Sequence, residues 1–376
     1  MAEFKTVALY YEYFTFKENE DGQTVTLTDY NSSLSDSTDI VIPATVDLVD
    51  GVWQDGFTYT VTAIANGTSS TGVFYNSGIT SITFPETLEN IGNYAFYRCS
   101  GLTSISLPSS LKAIGSYAFQ NCNGLTGELN LGGCTSLTSI GNYAFYSCRG
   151  LTSVDLSGCT SLTSIGDYAF LNCSGLTGEL NLGGCTSLTS IGISAFSSCS
   201  KLTSITLPFS LTSIGSDAFQ YCDGLTGTVT IPASVTEIGE NPFVSCSNLE
   251  GIVVEEGNSE YYTEGNCLIE NSTKTLITGF NNSTIPSDIK IIGDYAFRDC
   301  SGLTSISLPS SLTSIGDRAF QYCTRLTSVT FENTTGWEVS TSSSMTNPIS
   351  VVVTDPSVNA DNLTGQYRTY YWKRNG

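Results

Sequence analysis

The side chains most able to do chemistry in this chain are thirteen cysteines and a surplus of carboxylates, and they must act without a single histidine. The missing imidazole removes Ser-His-Asp and Cys-His nucleophiles, histidine general bases and histidine-ligated zinc together. Nine cysteines, from Cys99 to Cys323, close a recurring phrase; Cys134, Cys159 and Cys185 sit in lengthened turns, and Cys267 lies in an irregular stretch. Structural zinc sites favour cysteine pairs about two to four residues apart, whereas the nearest two here, Cys148 and Cys159, are 11 apart. Cysteines recurring in phase point the same way, and parallel Cβ vectors do not meet in a disulfide. They read as buried free thiols packing as small hydrophobes, with disulfide or metal as the alternative. Two carboxylate pairs, Glu255–Glu256 and Glu128/Glu179, could be matched to glycoside hydrolysis. The first is adjacent in a turn-rich segment, and the second recurs only because its repeat recurs. Glu255, Glu256, Glu260 and Glu264 could gather calcium but lack the alternating spacing of a calcium loop. No catalytic residue, metal or cofactor is assigned.

The remaining candidates are surface groups. Small hydroxyls recur on expected strands: Thr103, Ser104 and Ser106; Thr152, Ser153 and Asp155; Thr203, Ser204 and Thr206. They read as a solvated ladder, or as a ligand face poor in the Trp, Tyr and Arg that dominate binding hot spots. Tyrosines are richer: Tyr94, Tyr117, Tyr143, Tyr168 and Tyr295 precede Ala-Phe, and Tyr97, Tyr146, Tyr221 and Tyr322 follow it. They either pack between neighbouring units with their hydroxyls in water or form a contact stripe. The candidate ligand contacts are therefore Tyr94, Tyr117, Tyr143, Tyr168, Tyr295, Thr103, Ser104, Thr152, Ser153 and Asp155.

Charge narrows the partners. The net charge is −21, falling as −9 over residues 1–60, −6 over 61–246, −6 over 247–299 and zero over 300–376. No segment is basic enough for nucleic acid or anionic lipid. No apolar run approaches the ~18–20 residues of a membrane-spanning helix, so membrane insertion is not expected. Residues 1–5 lack the basic and apolar regions of a signal peptide.

The elements that position these residues follow from one phrase. Ile91-Gly92-x-x-Ala95-Phe96-x-x-Cys99 recurs with its cysteine at 122, 148, 173, 199, 222, 300 and 323, and more loosely as Ile238-Gly239, Pro242-Phe243 and Cys246. The steps are 23, 26, 25, 26, 23, 24, 54 and 23 residues. A fixed period of this size means a solenoid. In one unit, Leu102, Ile105 and Leu107 alternate as a strand with Ile105 and Leu107 inward, and Pro108 stops the ladder. Leu111 and Ile114 form a second short strand. Ser116 (Asn142, Asp167, Asp294 and Asp317 elsewhere) is placed as a helix N-cap, and Tyr117-Ala118-Phe119-x-x-Cys122 fits one or two helical turns. Extra residues fall only in turns, as with Gly127 before its strand.

The phrase resembles a leucine-rich repeat of the BspA-like (Treponema-type) class. The residues that carry the resemblance run in phase, as in Leu303-Thr304-Ser305-Ile306-Ser307-Leu308-Pro309-Ser310-Ser311-Leu312-Thr313-Ser314-Ile315-Gly316-Asp317-Arg318-Ala319-Phe320-Gln321-Tyr322-Cys323. It covers residues 79–331, about two thirds of the chain; Ile193 at the cap position and Pro242 in place of alanine depart from it. It implies an α/β, curved, β-rich solenoid with short helices. Residues 249–292 resemble an irregular, hairpin-bearing repeat, through which the solenoid should run. Residues 1–78, with β-type runs at 6–16, 25–27, 39–42 and 59–64, are expected to form a β-rich N-terminal cap. Residues 332–376, with Asp355-Pro356 opening a helix, are expected as a C-terminal cap. The resemblance implies an extracellular or cell-surface, non-catalytic adhesion protein engaging host extracellular-matrix proteins or other cells, and a monomer is expected. A protein partner is favoured over a glycan, and a carbohydrate-binding surface protein, then an enzyme, are the other readings.

Overall fold

The computed structural model describes residues 9–11, 14–32, 38–47 and 58–375. Residues 1–5 and part of the 6–16 run lie outside the described residues. The fold is a β-solenoid with very little helix, in two compact units, residues 1–199 and 200–376.

In the first unit every coil donates a two-residue strand to one parallel sheet. Asn90–Ile91, Ala113–Ile114, Ser139–Ile140, Ser164–Ile165 and Ser190–Ile191 pair in register, isoleucine on isoleucine. These isoleucines are 1–2% exposed, so the short strands are fixed by what they bury. At the N-terminal end Thr58–Ile64 pairs parallel with Asn90–Ile91, Thr24–Tyr30 with Thr58–Ile64, and Phe14–Glu18 turns antiparallel onto Thr24–Tyr30. A second sheet runs through Asp39–Val41, Ser81–Thr83 and Ser104–Ser106. It stops there because the next coil carries one extra residue. Gly127 takes it at φ +76°, a left-handed bulge, and Gly127–Asn130 pairs onward with Leu151–Asp155 across a register shift. Ile105 and Leu107, expected inward, are consequently only half-buried, and it is Leu102, Pro108 and Leu111 that are buried.

The third side of each coil differs most from expectation. Tyr117-Ala118-Phe119-x-x-Cys122 and its equivalents form no helix. Two residues per coil sit at positive φ: Tyr94 and Arg98, Tyr117 and Asn121, Tyr143 and Ser147, Tyr168 and Asn172. Donors alternate along the segment. Ala95, Tyr97 and Cys99 N–H groups close tight turns onto Gly92, Tyr94 and Phe96, while Tyr94, Phe96 and Arg98 N–H groups reach Ser116, Ala118 and Gln120 in the next coil. A helix would satisfy only itself; this winding satisfies half its donors by stacking, which links coil to coil. Ser116 and its equivalents are accordingly not helix caps. Asn93, Asn142 and Asp167 accept through Oδ1 from the backbone N–H of Ser116, Asp167 and Ile193 in the following coil, at 2.7–2.9 Å.

Inside runs a column of phenylalanines, Phe74, Phe96, Phe119, Phe145, Phe170 and Phe196, near-parallel with centroids 4.8–5.2 Å apart. Each is 0–1% exposed, so each contributes roughly 1.5–3 kcal/mol of apolar burial.

In the second unit Ser213–Ile214 pairs with Glu237–Ile238, and Thr228–Ile231 with Gly251–Val254. An antiparallel meander follows: Tyr261–Glu264, Cys267–Glu270 and Thr275–Thr278. Its first turn is the two-residue Gly265-Asn266, both at φ +57°, the signs a tight hairpin prefers. Thr275–Thr278 then pairs parallel with Ile291–Ile292, and regular coils resume. The expected hairpin is thus present, but the short-strand sheet does not run through it: Glu237–Ile238 ends one sheet and Tyr261–Glu264 begins another. At the C-terminal end Tyr371–Arg374 lies antiparallel on Ser314–Ile315, placing Trp372 opposite Ile315, and pairs with Trp337–Ser340. Asp355 caps the helix Pro356–Asp361 as expected, accepting from the Ser357 and Val358 N–H groups.

Candidate functional site

The repeat lays each candidate type in a row. Tyr94, Tyr117, Tyr143 and Tyr168 form one ladder, half-buried, with centroids 4.5–4.7 Å apart and rings within 15° of parallel. Each stands at φ 58–62°, a left-handed conformation that L-residues other than Gly, Asn and Asp rarely adopt. The strain fixes the direction of the ring, and the neighbouring rings hold it there. Because the faces cover one another, the ladder offers solvent its edges and hydroxyls. Burial and the adjacent phenols push Tyr94 and Tyr143 above the usual tyrosine pKa, so these two stay neutral at physiological pH.

Tyr295 belongs to the second unit and a different setting. Arg298 lies over the rings of Tyr221, Tyr295 and Tyr322, with its carbon 5.5–5.8 Å from their centroids, and donates to the Tyr221 hydroxyl at 2.9 Å. Arg318 donates to the Tyr295 hydroxyl at 2.7 Å and to Asp317 at 2.7 Å. Here the tyrosines hold guanidinium groups of their own chain.

The strand hydroxyls do structural work the sequence did not reveal. Thr103 donates to the carbonyl of Thr80 at 3.0 Å, and Thr177 to that of Thr152 at 3.2 Å. A second row does the same through Thr138, Thr163 and Thr189. Ser104, Thr103 and Thr152 are exposed, Ser153 and Asp155 half-buried, and Asp155 accepts from the Ser157 N–H. Thr103 and Ser104 lie one coil removed from the bulge at Gly127, and Thr152, Ser153 and Asp155 lie beyond it, so the set is not one continuous strand face.

All thirteen cysteines are buried thiols, none of them in a disulfide. Phrase thiols donate to the phenylalanine carbonyl of the preceding coil, Cys122 to Phe96, Cys148 to Phe119, Cys173 to Phe145 and Cys323 to Phe297, at 3.0–3.2 Å, whereas Cys300 donates to the Gly279 carbonyl at 3.5 Å. Cys134, Cys159 and Cys185 use Pro108, Leu131 and Leu156 likewise. Burial pushes Cys134 and Cys185 up to about 11, and Cys159, Cys173, Cys267 and Cys323 up to about 12. A thiol so placed is neither nucleophile nor metal ligand at neutral pH. Glu128 and Glu179 are exposed on strands with Leu151–Asp155 lying between them in sequence, and Glu255 accepts from the Ala233 N–H at 3.0 Å. Among the described residues no three acidic or sulfur side chains come together as a metal site.

The family model for the BspA type leucine rich repeat region, in six copies, matches residues 68–186, 179–278 and 269–347. Among solved structures the chain is similar to a leucine rich cell surface protein from Faecalibacterium prausnitzii A2-165. That match has 30% identity and a TM-score of 0.62 over 88% of this chain and 78% of that one. It is also similar in fold to the pneumococcal vaccine antigen PcpA, at 23% identity and a TM-score of 0.50, over 86% of this chain and 70% of that one. No curated protein matches. The in-phase Ile-Gly, Ala-Phe and Cys positions, the stacked coils they build and these matches together place the chain in the BspA-type leucine-rich-repeat family, whose members are cell-surface proteins.

Proposed function

We propose that this chain is a non-catalytic protein-binding module displayed at a cell surface, mediating adhesion to host extracellular-matrix proteins or to other cells. The observation that carries the reading is the laddered surface of the first unit. Tyrosine rings, threonine hydroxyls and Asn/Asp side chains are held by the coils on either side, so a partner meets a surface whose ordering entropy is already spent in folding. The thiols, intrinsically the strongest nucleophiles of the chain, are sequestered in the interior. The resemblance to the F. prausnitzii cell surface protein supports the location. The sheet of the second unit ends in the two-residue strand Ile349–Ser350, an edge too short to template pairing between copies, which supports a monomer.

The test is surface binding of the purified chain to immobilised matrix proteins, with a glycan array beside it. Saturable binding at about micromolar Kd or tighter, weakened by changing Tyr94, Tyr117, Tyr143 and Tyr168 together to Ser, is the expected result. Glycan binding alone would replace the protein partner with a carbohydrate. Silence on both would overturn the adhesion reading.

A further inference from the structure

The strand Glu237–Ile238 is where the coil-to-coil pairing of the second unit stops. Ile238 pairs with Ile214 on one side. On the other, its backbone N–H donates to the Tyr261 hydroxyl at 2.9 Å instead of to another strand. The equivalent isoleucines in the other coils, Ile91, Ile114, Ile140, Ile165, Ile191, Ile214, Ile292 and Ile315, are at most 2% exposed, whereas Ile238 is only half-buried. Beside it opens a cleft of about 280 Å³. Ile238 and Ile277 supply its apolar lining, and Glu240, Glu270 and Asp294 line it with three carboxylates. Asp294 accepts from the Asp317 N–H at 2.8 Å, and Glu270 accepts from the Thr273 hydroxyl. Among the described residues none of the three is in an ion pair, and no Lys or Arg lines the cleft.

An interrupted sheet edge, an uncovered aliphatic patch and three uncompensated carboxylates select one kind of occupant. A neutral peptide would leave the carboxylates unmatched, and an acidic one would be repelled. A lysine or arginine side chain matches both halves, since its methylene stem is apolar and its head is cationic. We propose that this cleft docks an extended, lysine- or arginine-bearing segment of a partner polypeptide. Its stem lies on Ile238 and Ile277, and its cationic head meets Glu240, Glu270 and Asp294. This rests on the protein-binding reading above and names the chemistry of the partner. The excess of acid over residues 247–299, −6 in net charge, would steer such a segment toward the cleft.

The probe is a fluorescein-labelled synthetic peptide alternating Lys and Val, with a Glu/Val peptide as control, read by anisotropy against the full chain at low and high salt. The Lys/Val peptide should bind saturably, more weakly in high salt, and the Glu/Val peptide should not bind. The triple variant Glu240→Gln, Glu270→Gln, Asp294→Asn keeps the side-chain acceptors and removes the charge. It should bind roughly tenfold more weakly, since several half-exposed charge pairs each contribute a few-fold. Thr275→Arg, which places a cation of the chain's own in the cleft, should compete in the same way. A variant with equal charge removal elsewhere, at exposed acids, Glu20→Gln, Glu128→Gln, Glu179→Gln, should lose no more than about twofold through the weakened long-range field. Equal losses in the two triple variants, or no peptide binding by the unaltered chain, would overturn the cleft. If a matrix protein binds and the triple variant leaves that binding unchanged, the adhesion reading stands and the cleft falls. If the peptide binds and no matrix protein does, the reverse holds.

Discussion

Phrase cysteines such as Cys122, Cys148 and Cys173 are buried and hand the S–H to a carbonyl one coil away, so these thiols are both hydrophobes and weak cross-links. Two outcomes follow from their burial. A thiol reagent should label almost none in the folded chain, and counting in denaturant without reductant should return close to thirteen; a much lower count would mean disulfides. The second outcome concerns alkali. Folded thiol pKa values near 11–12 stand above the unfolded value, so between them the folded state holds more protons. Stability is then full below about pH 8.5 and falls as pH rises toward the folded values, which thermal melts across pH 8–11 would show as a declining Tm. The ladder tyrosines carry the opposite kind of cost, a backbone strain accepted for a fixed ring. Tyr143→Asn should relieve the left-handed strain, whereas Tyr143→Val should compound it, separating the two by roughly 1–2 kcal/mol in denaturant melts. Asp355 is held below the usual carboxylate range by the Ser357 hydroxyl and by the N–H groups it caps. Its contribution is present at neutral pH and is lost as pH falls through its lowered pKa, so Asp355→Ala should lower Tm at pH 7 and matter less in acid.

At the scale of the element, the two strands per coil are legible because their residues say what they bury: isoleucine in every short strand, and leucine (isoleucine at Ile79) before the strands' Thr-Ser pairs. Phe145→Ser should cost about 3–5 kcal/mol, the price of a large hole in a packed column. Thr152→Ala should cost under about 0.5 kcal/mol as an exposed site, and urea melts of the two would measure the contrast. The bulge is legible too, since Gly127, Gly178 and Gly227 occupy the same added position and all have φ above +65°. The third side is not legible as a helix or a turn from one unit alone. Tyr-Ala-Phe carries helix-compatible residues, but six residues are too few to hold a helix by themselves, and what decides their winding is the next coil's carbonyls. A signal did exist in the repeat taken as a set: Asn121, Asn172 and Asp299 recur at the second left-handed position, and Asn and Asp are the residues that tolerate it. The uncovered edge beside Ile238 had only one mark in the sequence, the 54-residue step between cysteines. Its acids are scattered over Glu240, Glu270 and Asp294, and nothing short of the meander's path brings them together.

For the molecule as a whole, the ends matter because a stack exposes its interior wherever it stops. In the first unit Phe14 packs in the interior against Phe16, Tyr30 and Phe74. In the second, Trp337 and Trp372 close over Phe331. Deleting residues 1–78 should therefore expose the Phe column and drive aggregation, and a soluble monomer by sedimentation would show that the coils close themselves. The two ends meet their neighbours through special contacts, but the interior coils of the first unit do not. The groups that leave one coil, from Asn93 Oδ1 to the Phe carbonyl, are those the next coil would also receive from any other copy. The chain is thus a text that can be shortened or lengthened by a whole line without a spelling error at the join. Unequal crossover within its gene would yield folded descendants differing by one coil, about 4.8 Å of reach apiece. Selection could then set the length of the laddered surface by copy number, leaving every side chain as it was.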